Sequence, residues 1–356
     1  MSKIKSGTQG TVLKGLFDAQ KIAFGPFVFQ AVASMIELGI LEQLNLSGEK
    51  GMTVEEIATK LNLTAYGVSV LLESGQGADV VAEKDGVYTL TNTGYFLLKD
   101  DLTIANFNFV KDVCYRGMEH LTASIKNSRP EGLKELSSSE TIYEGLSALP
   151  EKVKKSWFDF DHYYSDIAFG KILPVIFKKD TKRILDIGGN TGKFTIQCAE
   201  YNDDVNITIA DLPGQIGVAR TNIEKLPFKE RVNFHEVNLL KENAVLPLDM
   251  DAIWMSQFLD CFSPEEIKKI LSLAISSLNK NGRIYIMETF WDNQRFEAAS
   301  FCLQNTSLYF TAMANGNSKM YRLNHFTSII EEAGLKVVDR IDQIGVSHTL
   351  LECTIK

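Results

Sequence analysis

Cysteine is scarce in this chain and never paired. Five cysteines, at 114, 198, 261, 302 and 353, are scattered over 356 residues, odd in number and never spaced C-x-x-C. That pattern excludes a disulfide framework, predicts no structural zinc or other metal site, and points to a reducing compartment. Positive charge is also in deficit: 37 Lys and Arg against 45 Asp and Glu leave a net −8. An acidic surface repels phosphate backbones, so nucleic acid is not an expected partner. Long apolar runs are missing, and no stretch of about 18 uninterrupted apolar residues marks a membrane span. The opening stretch MSKIKSGTQGTVLKGLFDAQ lacks the apolar core of a signal peptide. A cytoplasmic protein is expected. What the chain does have is apolar content of 45%, enough over this length for two domains with their own cores.

Two textures divide it. Residues 1–105 read as helical with one short β-ribbon. FVFQAVASMIELGILEQL carries apolar residues at helical spacing, and TVEEIATKLNL opens with Thr53 and Glu56 in capping-box register. A second short helix follows over 64–77. DVVAEKDGVYTLT then alternates around Asp85-Gly86, a hairpin signal. Helix, turn, helix and hairpin together make a winged helix. Such modules often read DNA, but 64–77 contains no Lys or Arg, and from 51 to 98 only Lys60 and Lys84 face six acids. A DNA reader needs positive charge on that face. Residues 106–180 read as a mostly helical linker and covering segment. From 181 to 356 strands and helices alternate, which predicts a doubly wound, parallel α/β sheet of Rossmann-like type.

The first strand of that series runs into ILDIGGNTGKFT. A dinucleotide loop needs G-x-G-x-x-G, but Asn190 stands where the middle glycine belongs. A P-loop needs a glycine at Ile187 and Ser or Thr at Phe194. The acid-x-G-x-x-x-G form does fit, with Asp186, Gly188 and Gly192. A plain tight turn remains an alternative at this point. Asp211, at the tip of the following strand, stands where an acid can accept hydrogen bonds from both ribose hydroxyls.

LDIGGNTG, ADLPGQI, WMSQFLDCFSPEEIKKIL and NGRIYIMETF, in this order and spacing, resemble the successive motifs of the plant- and bacterial-type S-adenosyl-L-methionine-dependent O-methyltransferases. The resemblance covers nearly the whole chain. It implies a winged-helix dimerisation domain, a homodimer, S-adenosyl-L-methionine as cofactor, and a small aromatic hydroxyl compound of secondary metabolism as acceptor. It also implies roles. Asp186, Gly188, Gly189 and Gly192 would hold the methionine end. Asp211 would bind the ribose and Leu212 would pack on the adenine. Asn238 and Leu239 replace an Asp-Met pair near the adenine, and Ser256 and Gln257 would face the cofactor from the next strand end. FDHYYS aligns with a family segment, typically Phe-Asn-x-x-Met, that covers cofactor and substrate; Tyr164 takes the methionine's place, and Ser165 would reach the cofactor carboxylate.

One departure stands out. The family's strand ends in a Leu-His-Asp-Trp-like run whose His is the general base. Here the run is Leu259-Asp260-Cys261-Phe262. Glu288 matches a supporting glutamate of the family, and a second glutamate has no clear counterpart. Three accounts stay open: Asp260 is a base with a raised pKa, it orients another base such as His162, or the activity is lost or changed. A helix N-cap is a fourth role, but Ser263 before Pro264 is the better cap. Phe301, Leu308 and Met313 are available for an apolar acceptor wall, or equally for ordinary core. Besides the transferase reading, a cofactor-binding decarboxylase or hydroxylase and a nucleoside-sensing winged-helix regulator remain.

Overall fold

The computed structural model describes residues 9–356, the side chains of 9, 10, 147, 164–167 and 179 excepted. The described chain divides into two compact units, the first ending at Phe107 and the second running from Asn108 to Lys356.

In the first unit, helices Gln9–Ala23, Gly25–Glu37 and Ile40–Ser47 precede Val54–Leu61 and Ala65–Gly77. Thr53 and Glu56 close a reciprocal capping box, so two amides that the helix itself cannot satisfy find partners. Strands β1 (Val81–Lys84) and β2 (Val87–Leu90) pair antiparallel. Their turn places Asp85 and Gly86 at φ 54° and 80°, the doubly left-handed geometry that matches strand twist. Met35, Ile40, Leu41, Leu44, Ile57, Val68 and Leu72 are fully buried between these elements. Helix Gln9–Ala23 is different. Leu13, Leu16, Phe17 and Ile22, with Phe24 and Phe27 after it, are exposed. No single helix among the described residues is long and apolar enough to cross a membrane.

The second unit holds a seven-stranded sheet. Its strands are β3 (Arg183–Ile187), β4 (Asn206–Asp211), β5 (Val232–Glu236), β6 (Met250–Ser256), β7 (Leu278–Thr289), β8 (Leu335–Ile344) and β9 (His348–Ile355), in the order β5-β4-β3-β6-β7-β9-β8. Side chains alternate between two cores. Ile184 and Trp254 join Phe194, Ile172 and Ile176 on one face, while Leu185, Ile187, Ile253 and Met255 join Ile267 and Ile270 on the other. Two-sided burial is why these strands read as continuous apolar runs. The order turns back on itself beside β3, so the loops after β3 and β6 part there and open a crevice at the strands' carboxyl ends.

The sheet is not all parallel, as the βαβ reading expected. β9 runs antiparallel to both β7 and β8. Only three residues, with Gly345 at φ 59°, join β8 to β9. A parallel return needs a crossover of a dozen or more residues, so this connection can only make a hairpin.

Residues 108–180 belong to the second unit. They include the 26-residue helix Glu151–Ile176. Phe109, Leu133, Ile142 and Leu146 form a further core with Leu303, Tyr309, Phe310 and Met313, against which Trp157 and Phe160 pack. The segment expected as a linker thus roofs the sheet's carboxyl edge.

Candidate active site

The turn after β3 is shaped by positive φ at Gly188 (72°), Asn190 (50°) and Gly192 (83°). A Cβ on Gly188 would lie 2.3 Å from the Phe258 ring, so nothing larger than hydrogen fits there. Asp211 ends β4 with both oxygens engaged: Asn190 N donates to Oδ2 at 2.9 Å and Leu212 N to Oδ1 at 2.7 Å. Each carboxylate oxygen has a second lone pair left for a ligand hydroxyl. Burial pushes Asp211 up to about 6, and the two amides oppose that rise. Asp186 is buried and accepts from Thr195 Oγ at 2.6 Å; burial takes it to about 7.

These residues open onto a cavity of about 310 Å³. Asp186, Gly188, Gly189, Asp211, Leu212, Asn238, Leu239, Ser256 and Gln257 all line it. Asn238 Oδ1 already accepts from Leu240 N at 3.0 Å, so one lone pair remains for an adenine amino group. Buried Asn190 Oδ1, Thr191 Oγ and Ser256 Oγ lack a protein partner among the described residues, and their residues line this cavity. Buried polar atoms without partners call for a ligand or water that supplies them. Gly192 is not among the lining residues. A Cβ there would meet Ile223 at 2.8 Å, so close packing under the turn requires this glycine. Tyr164 and Ser165 lie in helix Glu151–Ile176, but their side chains are outside the described residues.

At the other end, β6 passes into a short 3-10 turn, Leu259–Cys261. Ser263 caps the next helix in a capping box with Glu266, and Pro264 takes its first turn, so Asp260 is not the cap. Asn315 Nδ2 donates to Cys261 O at 2.5 Å and Tyr321 Oη to Phe262 O at 2.6 Å, which pins the turn from outside. Asp260 lines the cavity yet is only 4% exposed. Burial, reinforced by the charge of Asp161, raises it to about 7, while the Cys261 thiol, 3.5 Å from Oδ1, opposes the rise. Glu288 does not reach the cavity lining. Its Oε1 accepts from Phe258 N at 3.1 Å and Leu259 N at 2.8 Å, holding the turn from behind. Burial first, then the Asp260 charge, push Glu288 well above the carboxylate range. His162 lines the cavity, its ring stacked on Phe158 at 5.5 Å.

The acceptor wall differs from the expected one. Phe301 is 66% exposed and Leu308 38%, and Met313 is buried in the core behind. Helix Glu297–Tyr309 and its extension instead present Thr306, Tyr309 and Phe310 to the cavity. Those three share a face at i, i+3 and i+4, whereas 301 and 308, seven apart, share another. Phe109 stacks on Phe160 with centroids 4.0 Å apart and meets Tyr309 edge-on, and Trp157 Nε1 donates to Tyr309 Oη at 2.7 Å. Phe160 opens the FDHYYS run expected to cover cofactor and substrate; the other wall residues carry no sequence signal, since aromatic residues at helical spacing look like core.

The same architecture recurs in known proteins. A Dimerisation2-like domain model matches residues 17–88, and an O-methyltransferase domain model matches residues 119–336, more than half the chain. The chain belongs to the O-methyltransferase family. It is 23% identical over 330 residues to L-tyrosine C(3)-methyltransferase of Streptomyces lavendulae, covering 91% of this chain and 88% of that one. It is 21% identical over 320 residues to 3-hydroxy-5-methyl-1-naphthoate 3-O-methyltransferase of Streptomyces sahachiroi, covering 89% and 88%. An O-methyltransferase from neocarzinostatin biosynthesis, solved with S-adenosylmethionine and 2-hydroxy-5-methyl naphthoic acid, superposes with TM-score 0.67 at 18% identity, over 92% of this chain and 96% of that one. The protein is thus an S-adenosyl-L-methionine-dependent O-methyltransferase, and the decarboxylase, hydroxylase and regulator alternatives are not favoured. The glycine turn, the Asp211 carboxylate and the partnerless polar atoms suit that cofactor.

Proposed function

We propose that this enzyme methylates a phenolic hydroxyl of a small aromatic acceptor, with Asp260 as general base. The observation that carries this is a buried carboxyl raised to about 7 between a nucleoside-shaped end and an aromatic end of one cavity. A phenol has a pKa of about 10 and an ordinary Asp about 3.9, so complete proton transfer to that Asp is uphill by roughly 8 kcal/mol. At about 7, the gap falls to roughly 4 kcal/mol, slightly below that to an unperturbed His.

Asp211 holds the ribose, Leu212 and Leu239 flank the adenine with Asn238 at its edge, and Gly188, Gly189, Ser256 and Gln257 approach the methionine end. When bound, S-adenosyl-L-methionine supplies an electrophilic methyl group. The aromatic wall excludes water and sets the acceptor plane, and Asp260 takes the hydroxyl proton. Glu288 is a positioning residue: it fixes the turn that carries Asp260. His162 also lines the cavity and is the alternative base.

A second reading concerns the acceptor atom. The tyrosine-methylating relative is named for a ring carbon. A phenolate is nucleophilic at oxygen and at the adjacent ring carbon, so the same base serves either outcome. Incubation of phenols with methyl-labelled cofactor tests both. Label in an aryl methyl ether supports the first reading, label on a ring carbon the second, and no transfer to any phenol by a protein that binds S-adenosylhomocysteine refutes both.

The apolar face left exposed on Gln9–Ala23, together with Phe24 and Phe27, supports a homodimer built through residues 1–105. The five free thiols suit a cytoplasmic setting, and the aromatic cavity suits secondary metabolism.

A further inference from the structure

We propose that the acceptor carries a protonated amine, and that Asp161 is the residue that selects it. This rests on the phenol-methylating reading of the same cavity.

Asp161 enters the cavity from helix Glu151–Ile176. Two side-chain amides converge on it: Asn190 Nδ2 donates to Oδ2 at 3.3 Å and Gln257 Nε2 to Oδ1 at 3.5 Å. The Gln257 amide is held at both ends. His348, fully buried on β9, meets Gln257 Oε1 through Nε2 at 2.5 Å. Burial drives His348 down to about 4, against a backbone hydrogen bond at Ile344 that opposes the fall, so its ring is neutral and carries one hydrogen. With the amide oxygen engaged, the NH2 group is aimed at Asp161. Gln257 accepts a left-handed backbone, φ 47°, at this strand end to do so. Such conformations cost energy and persist where the surroundings demand them. The chain His348–Gln257–Asp161 is thus a built support for one carboxylate, reaching from the antiparallel strand to the helical roof.

That carboxylate also faces the acceptor end: Asp161 stands one helical turn beyond Trp157, whose Nε1 donates to Tyr309 Oη at 2.7 Å, and all three line the cavity. Its charge helps raise both Asp260 and the Tyr309 hydroxyl. The cavity around it fits an aromatic cation. Six carboxyl groups line it, against one lysine, Lys193, beside the glycine turn; no arginine lines it among the described residues. An acceptor bearing a carboxylate would meet this field with no guanidinium to receive it. An ammonium gains from Asp161 directly and from the ring faces of the wall.

Three phenols of matched size test this: tyramine, 4-ethylphenol and 3-(4-hydroxyphenyl)propanoate. Binding is read by calorimetry on the wild-type enzyme saturated with S-adenosylhomocysteine, and turnover with S-adenosylmethionine. Tyramine should bind at least about tenfold more tightly than either other phenol, the worth of one charge-assisted hydrogen bond. Asp161→Asn should erase the difference between tyramine and 4-ethylphenol, and its S-adenosylhomocysteine affinity is measured alongside because Asp161 also holds the Asn190 and Gln257 amides. Equal binding of the three, or preference for the propanoate, overturns the proposal in the wild-type enzyme alone, whatever the variant does. If Asp161→Asn weakens S-adenosylhomocysteine and leaves the tyramine preference intact, the carboxylate serves the cofactor's own ammonium and the proposal falls. Turnover separates the two layers. Preferential tyramine binding with no phenol methylated keeps the amine site and refutes the phenol reading; methylation without amine preference does the reverse.

Discussion

Replacing Asp260 with asparagine keeps the shape of the turn and removes its titratable group. Two effects of opposite sign should follow. Turnover should fall by roughly 10²–10⁴, the usual contribution of a positioned base, while S-adenosylhomocysteine affinity stays near that of the parent. Stability should move the other way at high pH. The folded-state pKa of about 7 lies above the ordinary 3.8, because burial opposes the charged form. A group raised in this way contributes stability below its unfolded pKa and loses it as pH rises through 7. Three units at about 1.36 kcal/mol each make that loss roughly 4 kcal/mol. Asp260→Asn never ionises and escapes it. Thermal unfolding should therefore give similar Tm values for the two proteins near about pH 4, with the variant ahead by several degrees near about pH 9. Wild-type kcat should rise through about pH 7 and then level off, since the base must be ionised to act. A variant as active as the parent, or a Tm gap that does not widen with pH, refutes a buried, titrating Asp260. Asp260→His sharpens the test, because imidazole at that position should restore part of the turnover.

Asp211→Ala should weaken S-adenosylhomocysteine at least about tenfold by losing charge-assisted bonds to the ribose; unchanged affinity in a folded variant rejects the ribose assignment. His162→Ala should leave most of the turnover if Asp260 is the base; complete loss, without rescue by Asp260→His, moves the base to His162. Light scattering should give a dimer, whose Leu16→Glu/Phe17→Glu variant dissociates because those exposed side chains form the apolar face; a wild-type monomer at micromolar concentration removes the dimer.

Glu288 shows why a motif match is an incomplete guide. Its match to a supporting glutamate marked it as catalytic, and the structure places it behind the turn, accepting from two backbone amides. The acceptor wall went the other way. Phe301 and Leu308 are apolar residues available on one helix, and which face of that helix meets the cavity depends on how the roof residues 108–180 pack. His348 had no local signal at all, since it lies 91 residues from Gln257, on a strand that sequence reading did not resolve.

The sequence by itself determined what depends on neighbours in the chain. The Thr53 and Ser263 capping boxes, the Asp85-Gly86 turn, the glycine turn after β3 and the acid ending β4 are short-range arrangements, in which a few side chains satisfy nearby backbone groups or permit a positive φ. Their order along the chain was enough for the fold class and the cofactor. Only the tertiary structure decided the antiparallel strand and the aromatic wall. It also decided the environment of Asp260. Whether a carboxyl at a strand end is an ordinary acid or one raised to about 7 depends on how much water is removed and which charges stand near it. Those neighbours, Asp161 and Glu288, come from about 100 residues before it and 28 after it, and only folding brings them together.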